Sequence, residues 1–236
     1  MSAAQEHGKA LYSLAVWHLK GVAVTMDTEH GIALMERSAH TGFQKAMAVL
    51  VDYYFDDTDY SSASNEMSAK WALRLAELGD VEAQSTMTQY YYRGIGVSVD
   101  FSKSMYWARK ATDNGSALAP YFLGRMYLYG EGVAEDLSKA FRWFQVGADR
   151  GDAWSQTELA WMYDNGEGVA ANSVEAAKWY QKAAEQGLAP AQDALGYMYA
   201  QGIGVTRDPK LARYWYQKAV DQGFPEAQSH LNAVED

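Results

Sequence analysis

The chain has 236 residues, of which 48% are hydrophobic and 21% charged, a composition typical of a globular protein with a sizeable core. The formal net charge of -10 disfavours nucleic acid and anionic membranes as main partners, because both attract basic faces, and it favours a basic partner. There is no cysteine, which excludes disulfides, thiolate nucleophiles and cysteine-ligated zinc.

The first residues, MSAAQEHGKALYSLAVWHLK, lack the charged region and apolar run of a signal peptide. No apolar run approaches the roughly 20 residues that span a bilayer. We therefore expect a cytoplasmic protein without membrane insertion, and the periplasm stays open if a signal was removed.

An internal repeat runs along the chain. The motif Gly-x-Gly-Val begins at Gly94, Gly130, Gly166 and Gly202, at intervals of 36 residues. Tryptophan recurs at the same interval, at Trp71, Trp107, Trp143, Trp179 and Trp215. The repeat divides the chain into six units and a terminal half-unit, which are residues 9–42, 43–79, 80–115, 116–151, 152–187, 188–223 and 224–236.

The residue pattern of each unit predicts two helices joined by a glycine turn. In the fifth unit, apolar or small residues at 155, 159 and 163 share one helical face, and Asn172 with Glu175 has the form of a capping box. The same N-cap position is predicted at Asp27, Ser64, Asp100, Asp136 and Asp208. Glycines spaced in this way also occur in dinucleotide-binding loops, but no strand pattern precedes them here, so we interpret them as turns.

The second unit departs from the repeat. The stretch FDDTDYSSASNE, residues 55–66, lacks both turn glycines and contains an acidic cluster of Asp56, Asp57 and Asp59, with Asp52 just before it. We predict an altered or mobile loop there. Either this loop contacts a partner, as insertions in repeat proteins often do, or it reflects tolerated drift.

At these motifs the chain resembles the Sel1-like repeats, which are relatives of the tetratricopeptide repeats. The sixth unit, AQDALGYMYAQGIGVTRDPKLARYWYQKAVDQG from Ala191 to Gly223, carries the family pattern nearly throughout. The resemblance implies an all-α fold, a right-handed α/α superhelical solenoid of about six helix-turn-helix repeats, used for protein binding. The recurring tryptophans are then core residues, and the half-unit after Gly223 is a polar cap that includes Glu235 and Asp236.

No catalytic motif is present. The histidines form no metal-binding helical pair, and the acidic cluster lacks the spaced ligands and glycine of a calcium loop. We therefore expect a protein that is not an enzyme, with no cofactor, no metal and no small-molecule substrate.

Residues that vary between units at exposed positions of the first helix are free for recognition. By the tetratricopeptide pattern, the positions two and six residues after the opening small residue face the concave groove. The first of these columns holds Tyr12, Ala48, Ser85, Tyr121, Thr157 and Asp193, and the second holds Val16, Asp52, Gln89, Arg125, Trp161 and Tyr197.

Two tryptophans stand outside the repeated set. Trp154 precedes Trp161 by two helical turns, so both fall on one side of the helix. Because Tyr, Trp and Arg often dominate binding energy, we predict a partner-binding patch. Its members are Tyr121, Arg125, Trp154, Trp161 and Tyr197. The alternative is that either tryptophan wedges between helices as part of the core.

Two functions fit a binding solenoid. The first is a scaffold or adaptor that assembles other proteins. The second is a dedicated inhibitor, such as a bacterial toxin-immunity protein, and small size and acidity toward a basic partner suit it. We rank the adaptor first because the family precedent for it is broader.

Overall fold

The structure, a computed structural model, describes residues 3–234, and each regular element in that range is a helix. The helices are α1 (Ala3–Lys20), α2 (Thr28–His40), α3 (Gln44–Tyr54), α4 (Ala63–Glu77), α5 (Val81–Arg93), α6 (Phe101–Asp113), α7 (Ala119–Tyr129), α8 (Leu137–Asp149), α9 (Ala153–Asn165), α10 (Ser173–Glu185), α11 (Ala189–Gln201), α12 (Pro209–Asp221) and α13 (Ala227–Asn232). The predicted all-α class with paired helices is confirmed.

The helices pack as two compact structural units, each of which contains several of the sequence repeats. The first and the second structural unit divide within α6, between Ala111 and Thr112. In the first unit, α1 pairs with α2 and α3 with α4, and each pair packs on the helix that follows it. In the second unit, the pairs are α7 with α8, α9 with α10 and α11 with α12. The first helices α7 and α9 also touch each other, so these two consecutive repeats place their first helices side by side.

The glycine turn is built to pack closely on the preceding repeat. Gly166 ends α9 in the left-handed region, and Gly168 two residues later also has a positive φ of 68°. A Cβ atom at Gly168 would collide with the backbone oxygen of Leu137 at the start of α8. The turn then closes when the Asn172 amide donates to the Tyr163 carbonyl at 2.7 Å. The interpretation of these glycines as turns is confirmed.

Most predicted N-caps are present. Asp27, Asp100, Asp136, Asn172 and Asp208 each accept a hydrogen bond from a backbone N–H two or three residues on. The prediction for Ser64 was wrong. The helix α4 starts earlier, with Ser62 as its N-cap, and the Ser64 hydroxyl lies within α4 and donates to the Tyr54 carbonyl at 2.7 Å. The cap is displaced because α4 has 15 residues where α6, α8, α10 and α12 have 13, so the extra residues lengthen the N-terminus of the helix.

The irregular loop at residues 55–62 is altered, as predicted, but it is held by internal hydrogen bonds. Asp56 accepts from the amide and hydroxyl of Thr58, and Asp59 accepts from the amide and hydroxyl of Ser61. These are Asx turns, which replace the left-handed glycines of the other repeats.

A buried asparagine anchors this loop. The Asn65 side chain donates to the Asp56 carbonyl at 2.7 Å and to the Asp59 carbonyl at 2.9 Å, and it accepts from the Asp56 amide at 3.1 Å. The next repeat covers it, because Gly96 packs against the backbone of Asn65 and donates to the Tyr60 carbonyl at 2.7 Å. Asn65 thus supplies the partners that the loop backbone lacks.

The core follows the repeat. The recurring Trp71 and Trp107 are buried, and Trp179 and Trp215 are partly buried against the core of the second unit. A buried glutamine also recurs, and each copy donates to a carbonyl in the last turn of the preceding helix. The pairs are Gln84 with Ala76, Gln156 with Ala148 and Gln192 with Ala184. Each of these carbonyls also accepts from the amide of the glycine that follows the helix, so the glutamine adds a second hydrogen bond where the helix ends.

The chain closes with the short helix α13, which packs on α12 and contacts α11. It buries Ala227 and exposes polar side chains such as Gln228 and Asn232, as expected of a cap. Glu235 and Asp236, which we assigned to the same cap, lie outside the described residues.

Candidate protein-binding surface

The helix α7 brings a tyrosine, an arginine and a second tyrosine onto one face, spaced four residues apart. Arg125 donates to the Tyr121 hydroxyl at 3.1 Å, and its guanidinium lies 5.1 Å from the centre of the Tyr129 ring. Tyr129 is exposed, and the equivalent position in the other repeats holds no tyrosine. Sequence reasoning missed it, although its spacing from Arg125 carries the signal.

Tyr121 is only 6% exposed, which corrects its predicted role as a contact residue. Its ring packs 6.2 Å from the Phe144 ring on α8 and 6.2 Å from the Trp154 ring on α9. Neighbours from the same repeat and from the next one therefore bury it. Tyr121 supports Arg125 and Trp154 from below the surface.

The helix α9 carries both of the tryptophans that fall outside the repeat. Trp154 is 44% exposed and Trp161 is 39% exposed. Trp154 packs on Tyr121 and so contributes to the contact between α7 and α9. This contact agrees in part with the alternative that the tryptophan wedges between helices. Trp161 keeps two fifths of its surface in solvent although it is a large apolar side chain.

Between these tryptophans lies Glu158, a residue that sequence reasoning missed. It sits four residues after Trp154 and three before Trp161, on the same helical face. Burial raises the pKa of the Glu158 carboxyl, and the charge of Arg125 offsets that rise only in part. Burial raises the pKa of the Tyr180 hydroxyl, and the charges of Asp164 and Glu158 add to that rise. No motif flags Glu158, because its burial comes from packing.

The helix α11 contributes Tyr197, which is 48% exposed. The predicted groove position four residues earlier, Asp193, is already occupied. The imidazole of His230 on α13 lies 2.8 Å from the Asp193 carboxylate, and its ring also packs on Tyr216. The closing helix thus contacts Asp193, whereas Tyr197, also on α11, stays exposed.

In the first unit, two predicted residues lie together. Asp52 on α3 and Gln89 on α5 line one shallow hollow of about 260 Å³, together with Phe55 and Thr86. Asp52 and Phe55 are exposed, and Gln89 is partly buried. Of the loop carboxylates, Asp57 and Asp59 are exposed and Asp56 is partly buried. Hydrogen bonds from Thr58 hold the pKa of Asp56 below its usual value.

Other kinds of site find little support in residues 3–234. Within that range, no three acidic, histidine or cysteine side chains are grouped so that they could hold a metal ion. The described helices include none with the length and apolar character needed to cross a membrane.

A family model described as the Sel1 repeat matches the chain six times, at residues 8–42, 44–80, 83–116, 117–152, 155–188 and 189–224. No curated protein sequence matches the chain. Among solved structures, one similar chain is a protective antigen present in uropathogenic Escherichia coli strains and displaying an SLR fold. It is 30% identical with a TM-score of 0.77, and the match covers 97% of this chain and 49% of the antigen.

A Sel1 repeat protein from Oxalobacter formigenes is also similar, with 28% identity and a TM-score of 0.80. That match covers 97% of this chain and 66% of the other. The chain therefore spans about half the length of the first structure and about two thirds of the second.

Proposed function

The chain belongs to the Sel1 repeat family, whose members are protein-interaction modules, and from this premise we propose that it is a non-catalytic adaptor. It binds a protein segment on the first-helix face of its second unit. The contact surface, which we call the aromatic face, comprises Arg125, Tyr129, Trp154, Glu158, Trp161 and Tyr197.

The observation that supports this proposal is the exposure of large aromatic side chains that the repeat does not require. The recurring tryptophans are buried or partly buried, whereas Trp154 and Trp161 keep 44% and 39% of their surface in solvent. Exposed aromatic side chains that cluster on one face are typical of interaction sites. Arg125 beside them adds another residue type that is common at binding hot spots.

Co-purification from the native cell tests the proposal and separates adaptor from inhibitor. An adaptor retains at least two proteins, whereas a dedicated inhibitor retains one stoichiometric and very tight partner. The acidic net charge of -10 is the feature that favours the inhibitor as second candidate, since it suits a basic toxin. If no protein is retained in stoichiometric amount, the proposal of a binding module is contradicted.

The acidic loop of the first unit provides a second contact in this proposal. Replacing Asp56, Asp57 and Asp59 with asparagine removes three charges, but it keeps the oxygens that accept from Thr58 and Ser61. We expect weaker binding of the retained partner, most visibly at low salt, where surface charges are least screened. Calorimetric titration at two ionic strengths measures this effect. Unchanged affinity at both would indicate that the loop reflects drift.

A further inference from the structure

We propose that the segment bound by the aromatic face is basic, and that one of its arginine or lysine side chains docks against Trp154 and Trp161 beside Glu158. This inference rests on the proposed function and specifies the chemistry of the partner. Three independent features of the second unit support it.

The first feature is the distribution of charge. The first helices α7, α9 and α11 carry one cation, Arg125, and three carboxylates, Glu158, Asp164 and Asp193. The second helices α8, α10 and α12 carry seven cations and four carboxylates. In the first unit, α1, α3 and α5 carry four cations and three carboxylates. Of these three sets, only the helices that bear the aromatic face have a negative balance, and it attracts a basic segment.

The second feature is the state of the tryptophan rings. Three recurring tryptophans have a cation of their own helix near the ring: Arg74 at 5.5 Å from Trp71, Lys110 at 5.0 Å from Trp107 and Lys182 at 3.6 Å from Trp179. Within residues 3–234, no cation lies over Trp154 or Trp161. Their exposed faces are available to a cation from outside, for which tryptophan is the best aromatic partner.

The third feature is the state of the Glu158 carboxylate. It is partly buried, and in the described part of the chain no hydrogen bond or ion pair reaches it. The charge of Arg125 lowers the pKa of this carboxyl, while its guanidinium donates to the Tyr121 hydroxyl and lies over the Tyr129 ring. A desolvated carboxylate without a donor is destabilising in the free protein. A guanidinium or ammonium group from a partner supplies that donor.

Synthetic peptides test the inference directly. We expect a fluorescein-labelled peptide that alternates arginine and serine to bind, by fluorescence anisotropy at low ionic strength, at least about tenfold more tightly than its citrulline counterpart. Citrulline keeps the shape of arginine and removes its charge. Glu158→Gln should bring this preference down toward one, and the matched control Glu185→Gln, on α10, should leave it unchanged.

The same variant has a signature in stability that a merely structural residue would not produce. Burial raises the pKa of Glu158 in the folded chain, so the destabilising charge is present above that pKa and absent below the unfolded value. Glu158→Gln should therefore raise the melting temperature at neutral pH and lose that advantage in acid. Weaker binding combined with higher stability is the expected pair of results.

Several outcomes would overturn the inference. Equal binding of the citrulline peptide, or equal effects of Glu158→Gln and Glu185→Gln, would refute the proposed cation site. Tighter binding of a glutamate-serine peptide would indicate that Arg125 recognises an acidic segment. Self-association that requires Trp161 would make a second copy of this chain the occupant.

Binding of the natural partner by two variants tests this inference separately from the proposed function. If Trp161→Ala releases the partner and Glu158→Gln does not, the aromatic face binds protein but the basic segment is refuted. If neither substitution affects the partner, the proposed site itself is refuted.

Discussion

Replacing Trp161 with alanine is expected to weaken partner binding by about 2 kcal/mol or more, roughly 30-fold in affinity. The indole ring is 39% exposed and lies on α9 beside Glu158, so a bound segment would bury it fully. Removal of such an anchor eliminates a large contact area and, if a cation docks there, its aromatic partner. Calorimetric titration with the partner retained from the native cell measures the change.

The free energy of unfolding should change little in this variant, because the ring is not part of the buried core and alanine favours helix. Urea unfolding checks this point. The matched control is Trp17→Ala on α1, a tryptophan of similar exposure at 46% in the other unit, which should leave binding intact. Normal binding by Trp161→Ala, or its unfolding, would reassign Trp161 from recognition to the core.

Replacing Asn65 with alanine is expected to lower the free energy of unfolding by about 3 kcal/mol, since three hydrogen bonds are lost at about 1 kcal/mol each. The lost bonds join a buried side chain to the backbone of Asp56 and Asp59. Alanine leaves those backbone groups without a partner beneath Gly96, where the packing of the next repeat restricts access of water. Urea denaturation of the purified variant measures the change.

The control for this prediction is Asn165→Ala. Asn165 is exposed, and its amide makes one bond to the Trp161 carbonyl within α9. That substitution should change stability by less than about 0.5 kcal/mol, as is usual for surface positions. A small effect of Asn65→Ala would mean that the loop at 55–62 rearranges and satisfies its own backbone, and the anchoring role of Asn65 would be refuted.

These two residues differ in how far the sequence could identify them. Trp161 stands out because comparison of the six units separates recurring residues from those that change. Asn65 does not stand out, because it lies beside an insertion that has no counterpart in the other units. Its role depends on a loop nine residues away and on a glycine from the next repeat.

The sequence by itself determined the family, the helical class, the paired helices and the turns. The physical reason is that these features are local and repeated. An N-cap lies within three residues of the amide it accepts from, and a left-handed glycine depends on its own φ angle. Recurrence at 36 residues then shows each local signal several times over. Where the recurrence breaks, local reasoning failed, and the N-cap at Ser62 was placed at Ser64.

Only the tertiary structure decided which side chains of the first helices reach solvent. Tyr121 and Trp161 occupy equivalent kinds of position in the pattern, yet Phe144 and Trp154 bury the tyrosine while the tryptophan stays exposed. The pKa of the Glu158 carboxyl is raised because packing removes water from it without supplying a hydrogen-bond donor. Burial is set by neighbours that are distant along the chain, and a sequence pattern carries no record of those neighbours unless they repeat with it.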